Sequence, residues 1–300
     1  MRMHVDNPLA VKADLDRLGK VRSNPSPLLV AAALLKRTLP RGRGAIPHLL
    51  GKLYRGSVVD VLRTRAGAIL AVEPGSLETY ADILNDGGTW NRAVFETCAS
   101  LLPDGGVFYD LGANVGYMTI EMAQRKTAAR VVAFEPQTQL ARAVALSAAI
   151  NGFEHVTVFE LMIGATEGEQ DLYLTAYSIH ASSIPRSESW TRTRKRRETI
   201  DRLVGTGTIP GPDVVKVDIE GGELDALKGA ASTIRTHKPH IVFEADENME
   251  RFGYTHDDIL RLLASLGNYR FYAIGAEGHL AELTKSDCAY GDFLAKSLAR

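Results

Sequence analysis

The stretch Phe108-Tyr-Asp110-Leu-Gly112-Ala-Asn114-Val-Gly116-Tyr-Met-Thr119 decides the fold. It opens on an apolar run, residues 107–110, that ends in an acid. A glycine-rich turn follows, and then a helix over residues 115–126. Glycine lets the backbone approach a ligand with no Cβ in the way, and a helix start offers N–H groups with no internal partner. Strand, glycine turn and helix in this order mark the place where an open α/β sheet binds a nucleotide-like ligand. The turn does not fit the dinucleotide fingerprint, because Asn114 stands where its second glycine would be. It is not a P-loop either, since no Gly-Lys-Ser/Thr follows.

Working outward, Glu135-Pro136 closes a second apolar run at residues 131–135. An acid there can accept both hydroxyls of a ribose. Asp110, just before the turn, would repel a phosphate. A ribose acceptor with no phosphate grip points to an adenosine that carries no pyrophosphate, and S-adenosylmethionine meets that description. A dinucleotide is the alternative. Downstream the alternation continues. Helix is expected over 137–150, stopped by Asn151-Gly152, then strands over 156–160, 171–175 and 213–219. Helix over 223–235, strand over 240–245 and helix over 255–266 come next, and residues 270–274 and 290–295 supply the last strands. The spacing predicts right-handed crossovers and a mostly parallel sheet. Residues 176–199 interrupt the rhythm as a polar, then strongly basic insertion. Its run Arg192, Arg194, Lys195, Arg196, Arg197 reads as a solvated face or as a lid over an anionic acceptor.

Upstream lies a different kind of chain. Residues 9–19 and 27–38 read as helices and residues 57–62 and 68–73 as a hairpin. Helices follow over 76–84 and 90–101, the second with Trp90, Val94, Phe95, Cys98, Leu101 and Leu102 on one buried face. The division is therefore residues 1–104, an N-terminal helical and hairpin extension for acceptor choice or dimerisation, and residues 105–300, a catalytic domain. The apolar run at 28–35 is too short to span a bilayer. Its first reading is a buried or amphipathic helix, and its second is peripheral membrane contact aided by Lys36, Arg37, Arg41 and Arg43.

Composition sets the envelope. The chain has 300 residues with 35 Lys and Arg against 36 Asp and Glu, 45% apolar residues and 27 glycines. That length buries a core without staples. The near-zero charge removes any bulk electrostatic case for nucleic-acid binding. Cys98 and Cys288 form no metal-ligand or redox pattern, so a reduced, cytoplasmic setting is the expectation. Asp6, Asp14 and Asp16 fit a signal peptide poorly.

The motifs FYDLGANVGYMT (108–119), VVAFEP (131–136), Thr199-Ile-Asp201, VVKVDIEGGELDALKGA (214–230) and PHIVFE (239–244) together resemble the FkbM-type family of S-adenosylmethionine-dependent methyltransferases over roughly residues 104–246. The resemblance implies a class I methyltransferase Rossmann-like sandwich, with a mostly parallel seven-stranded sheet and an antiparallel last strand. It also implies methyl transfer to oxygen, often on a sugar, glycolipid or polyketide-like natural product. Gly112, Asn114 and Gly116 match the family's cofactor loop. Asp110 is expected at the methionine amino group or as organiser of the loop, and Glu135 at the ribose. Ile163 and Gly164 follow the third strand as neighbours of the adenine.

For the transfer itself, Lys216, Asp218 and Glu220 fall on one strand face at the sheet edge shared with Asp110 and Glu135. Charges on an apolar strand must be paired or open on a cleft. An alcohol needs a base within hydrogen-bond reach. Asp218 is the first choice, Glu220 the second, His180 in the insertion a further one, and Glu244 a third acidic wall residue. A divalent cation, Mg or Mn, is the less favoured addition. N-methylation of an amino sugar and a non-catalytic cofactor-binding role are the competing functions. A homodimer rests only on the commonness of two-fold pairs.

Overall fold

The structure is a computed structural model and describes residues 10–39, 45–53, 58–174, 181–184, 190–283 and 290–298. His180 and Cys288 lie outside the described residues, as does part of the expected insertion.

The N-terminal part contains helices α1 (Pro27–Thr38) and α2 (Ala45–Gly51), the short hairpin β1 (Val61–Arg63) and β2 (Ile69–Ala71), and helices α3 (Leu77–Asn85) and α4 (Arg92–Leu101). Ser26 caps α1 by accepting from the Leu29 N–H, and Pro27 sits at the first helical position, where its missing N–H is harmless. Where a helix is expected over residues 9–19, the described residues form a bridge from Ala10 to Phe159 and a 3-10 turn over Leu15–Lys20. On α4, Val94, Phe95 and Cys98 are buried, but Trp90 precedes the helix and is 39% exposed, against the expectation of a buried face.

The central region runs β3 (Val107–Leu111), α5 (Tyr117–Arg125), β4 (Arg130–Phe134), α6 (Thr138–Asn151), β5 (Val156–Phe159), β6 (Met162–Ile163), β7 (Gly168–Leu174), β8 (Ala181–Ser182) and β9 (Thr191–Glu198). The chain then continues through α7 (Ile200–Gly205), β10 (Val214–Val217), α8 (Glu223–Lys228), α9 (Ala231–His237), β11 (His240–Ala245) and α10 (Asn248–Arg251). It closes with α11 (His256–Leu266), β12 (Tyr269–Ile274), β13 (Leu280–Glu282) and β14 (Gly291–Ser297).

The main sheet has the order β13-β12-β14-β11-β10-β3-β4-β5. Strands β3, β4, β5, β10 and β11 are mutually parallel, and β14 runs antiparallel to both β11 and β12. The last strand is thus antiparallel, but the sheet has eight strands where seven are expected. The additional one, β13, is an exposed three-residue edge paired with Tyr272–Ile274, too short to read as a strand. The strand order reverses direction between β3 and β10, a topological switch point.

A second sheet, β6-β9-β7-β8, corrects the reading of the basic insertion. Residues 191–197 pair antiparallel with Gly168–Leu174. Period-2 alternation sends Lys195 inward onto Glu160 at 2.8 Å and Thr138 at 2.6 Å, while Arg192 meets Asp171 at 2.7 Å and Arg196 meets Glu198 at 2.6 Å. The run is a charge-paired strand rather than a free lid.

The expected single helix over 223–235 is two, divided at Gly229, where a Cβ would come 2.0 Å from the Gly164 carbonyl oxygen. In the main core Leu29, Leu62 and Tyr80 of the N-terminal part share one apolar cluster with Phe108, Val131 and Val214 of the sheet. Asn151 and Ser147 of α6 extend side-chain hydrogen bonds to the backbone of β2. Among the described residues no helix is long and apolar enough to cross a membrane.

Candidate functional site

The C-terminal ends of β3, β4, β10 and β11 open on a cavity of about 820 Å³. Its floor is the glycine turn. Gly112 has φ +82°, and a Cβ there would fall 1.8 Å from the Asp218 carbonyl oxygen, so both the backbone region and the close crossing of two loops exclude a side chain. Gly116 also has a positive φ of +86°, and a Cβ there would press on Val144 at 2.8 Å. The N–H groups of Gly112 and Ala113 both donate to the Phe134 carbonyl at 3.0 Å, which folds the turn back over β4.

Asn114 adopts φ +51°, and its side-chain oxygen is buried in the cavity wall with no hydrogen-bond partner. Its own backbone N–H donates to Glu135 Oε2 at 2.9 Å, and the Gln137 N–H donates to Oε1 at 2.8 Å. Each Glu135 oxygen keeps acceptor capacity beyond those bonds. Burial pushes the Glu135 carboxyl up to about 7, against the lowering effect of these two N–H groups.

Lys216 organises the acids. Its Nζ is 3.4 Å from Asp110 Oδ1, 3.2 Å from Asp218 Oδ2 and 3.0 Å from the Gly112 carbonyl, which it donates to. Burial opposes the ammonium charge, and Asp218 and Asp110 more than offset it, so its pKa is raised. Asp110 is completely buried, accepts from the Thr119 hydroxyl at 2.6 Å and does not reach the cavity wall. Burial raises its pKa while Lys216 and Thr119 lower it. With Lys216 held charged by two acids, the ion pair is the state the geometry supports.

At the other end of the cavity the acids crowd. Asp218 follows β10 and is tethered by its N–H to the Leu111 carbonyl at 3.1 Å. Glu244 lies in β11 with its side chain against Asp218, and it is paired in register with Asp292 of β14. The Asp218 charge and burial keep a proton on Glu244 well above the usual carboxylate range. Asp292 is pushed up to about 6 by burial and by Asp218, and it accepts from the Asn91 side chain. Two adjacent carboxyls sharing one proton are the arrangement expected when like charges cannot separate.

Glu220 leaves the strand plane that the spacing predicted. It has φ +61°, sits on the cavity rim and accepts from the Asn248 amide at 3.3 Å. Lys216 and Asp218 keep the shared direction, but Glu220 belongs to the turn. That turn is fixed from beneath by Glu223, which is buried, accepts from the Ile219 and Gly221 N–H groups and from the Tyr254 hydroxyl, and is raised to about 7 by burial. Ile163 lines the cavity beside Leu161 and Met162, whereas Gly164 lies behind it, closed off by Arg197 and Asp225.

Three wall residues carried no sequence signal. Thr79 of α3, Trp90 and Asn91 close the acid end of the cavity from the N-terminal part of the chain. The Thr79 hydroxyl is buried with no partner. Asn91 stands in the left-handed region at φ 43°, and the Tyr117 hydroxyl accepts from the Trp90 backbone N–H. Among the described residues, no group of three or more His, Cys, Asp or Glu is placed to hold a metal ion.

A parallel sheet whose switch point carries a glycine turn, an open Asn114 acceptor and a strand-end glutamate defines an α/β protein built to hold a nucleoside. The family model described as the methyltransferase FkbM domain matches residues 110–271. The chain belongs to the FkbM methyltransferase family. Among curated proteins it is similar to the hexuronic acid methyltransferase AglP of Haloferax volcanii, 30% identical over 131 residues. That match covers 43% of this chain and 52% of that protein, so the chain spans about half the length of the curated relative it matches. Among solved structures, methyltransferase FkbM from Methylobacillus flagellatus is 19% identical, with 75% of this chain and 56% of that chain covered at a TM-score of 0.45. A TehB-like SAM-dependent methyltransferase from Corynebacterium glutamicum is 11% identical, with 73% and 92% covered at a TM-score of 0.41.

Proposed function

We propose that the protein is an S-adenosylmethionine-dependent O-methyltransferase acting on a hydroxyl of a sugar or uronic-acid acceptor. The observation that carries this is one cavity whose lining joins the Gly112–Asn114–Glu135 pocket to the neighbouring Asp218 and Glu244. Family membership and the hexuronic acid activity named for the curated relative support the same reading.

Gly112, Asn114 and Glu135 would hold the cofactor, with Glu135 accepting from the ribose hydroxyls and Leu161, Met162 and Ile163 flanking the adenine. When bound, the cofactor supplies an electrophilic methyl group on a sulfonium. The chain's own part is orientation and proton handling. Trp90 offers an aromatic face on which a sugar ring can stack, and Asn91 and Thr79 offer hydrogen-bonding groups around it. The acceptor oxygen would give its proton to Asp218 as it bonds to the methyl carbon, while the methyl–sulfur bond breaks and the sulfur leaves as a neutral thioether. Lys216 holds Asp218 in place at 3.2 Å, and most of the acceleration falls to holding the oxygen in line.

One observation favours a second reading, methylation of an amine. The acceptor end sets the carboxylates of Asp218 and Asp292, with Glu244 protonated, beside the Lys216–Asp110 ion pair. An amino sugar would be drawn to that end, and product analysis by NMR separates an O-methyl from an N-methyl product.

Replacing Asp218 by Asn tests the role given to it. We expect methyl transfer to hexose and hexuronate acceptors to fall about 100-fold or more, with S-adenosylhomocysteine affinity held near wild type by calorimetry. An unchanged rate removes Asp218 as the base. Failure of the wild-type chain to bind either S-adenosylmethionine or S-adenosylhomocysteine overturns the methyltransferase reading as a whole.

A further inference from the structure

The sequence divides its charge unevenly. Residues 1–58 hold eleven Lys and Arg against three Asp and Glu, a formal 11 − 3 = +8, and residues 59–300 hold 24 against 33, a formal −9. The same first segment carries the exposed apolar surface. Of the nine large hydrophobic side chains exposed among the described residues, five are Val30, Leu34, Leu49, Leu53 and Val58.

Their spacing is ordered. Leu29, Ala32 and Ala33 fix the inner face of α1, so the helix cannot turn its outer residues inward. On that outer face Val30, Leu34 and Arg37 follow at i, i+4 and i+7, the period of one helical stripe. At the end of α2, Leu49, Lys52 and Leu53 repeat the pattern at i, i+3 and i+4. The helices pack against each other and against α3. Leu34, Leu49 and Leu53 are 59%, 61% and 56% exposed, which is more than the edge of a core residue. Near the hairpin the exposed Val58 lies beside a bridge between Val21 and Val59, flanked by the exposed Lys20 and Arg22.

We infer that α1, α2 and the Val58 region form a peripheral docking surface for an anionic lipid bilayer. Leucine-class side chains enter the headgroup boundary and exposed cations meet the lipid phosphates. Apolar stripes rimmed by Lys and Arg are the physical pattern of a helix lying in the membrane interface. A Lys or Arg near an anionic leaflet is drawn to it, so Lys20, Arg22, Arg37 and Lys52 supply an attraction the apolar residues alone lack. Twelve residues in α1 are far short of the roughly 20 needed to cross a bilayer, so the surface lies on the membrane. Charge decides the occupant. A second copy meeting this face through itself would set Lys20, Arg22, Arg37 and Lys52 against the same four cations, and a nucleic acid would leave the leucines in water. Lys36 takes no part, because it is held by Glu78 at 2.9 Å and Asp82 at 2.5 Å.

The test is co-sedimentation of the full chain with phosphatidylcholine vesicles that contain, or lack, roughly 30% phosphatidylglycerol. We expect at least about tenfold stronger partitioning onto the anionic vesicles, lost when salt is raised from about 100 mM to about 500 mM. Leu34→Asp combined with Leu53→Asp should reduce binding about tenfold, as should Arg37→Gln combined with Lys52→Gln. Both pairs are exposed, and an unchanged melting temperature shows that the fold is kept. Equal partitioning onto neutral vesicles, or none onto anionic ones, overturns the proposal. It is also overturned if light scattering shows a dimer that Leu34→Asp dissociates, because a second copy then covers the face. Neither result touches the methyltransferase reading, which is measured by cofactor binding.

Discussion

Two lysines in this molecule each hold two carboxylates, and they do different work. Lys36, in the N-terminal part, ties α1 to Glu78 and Asp82 on α3, whose side chains are 20% and 35% exposed. Lys216, in the sheet, sits between Asp110, which is 0% exposed, and Asp218, and it also holds the carbonyl of the glycine turn. The first pair of contacts is a partly solvated strut. The second sets the shape and charge of the cavity. Water reaches both acids of the strut but not Asp110 of the keystone, so equal-looking geometry carries unequal energy.

Removing the two lysines puts that contrast to a measurement. Lys216→Met leaves Asp110 buried and unpaired, and we expect a loss of about 3–5 kcal/mol in unfolding stability together with loss of S-adenosylhomocysteine binding. A loss no larger than that of Lys36→Met would break the comparison. An intermediate effect is expected from pH at Glu135. Its folded-state pKa is raised to about 7, and the charged carboxylate is the better acceptor for ribose hydroxyls. Cofactor affinity should therefore fall as pH drops below about 7, by up to about tenfold per unit, and level off above it. Glu135→Gln should bind weakly with no such slope. The smallest effect belongs to Lys36→Met, about 1 kcal/mol or less by urea unfolding, with cofactor binding intact.

From residue 106 onward most of the fold was legible. Buried parallel strands read as short apolar runs, and Asn151-Gly152 stops α6 as expected. What escaped was structure whose pattern is made of charge. β9 alternates between exposed and inward cations, so its period of two was hidden in an unbroken basic run, and its partners Glu160, Asp171 and Glu198 lie on other segments. β13 is exposed and too short to read. In the site, Gly112, Asn114 and Glu135 were legible because a ligand-holding turn imposes fixed residue types. The pairing of Lys216 with Asp110 was visible only as the rule that buried charges need partners. Thr79, Trp90 and Asn91 gave no signal, since their contribution depends on how α3 and α4 pack beside β10 and β11. Glu220 was misplaced because the strand ends at Val217 and the chain turns left-handed three residues later.

The uneven charge has a consequence at the bench. A chain with a formal net charge of −1 spread evenly over its surface would pass through both kinds of ion exchanger near neutrality. With one positive and one negative segment, the folded chain is an electric dipole. At low salt it should be retained on a cation exchanger by its first helices and on an anion exchanger by its sheet domain, and each resin would present the opposite side of the molecule to the mobile phase.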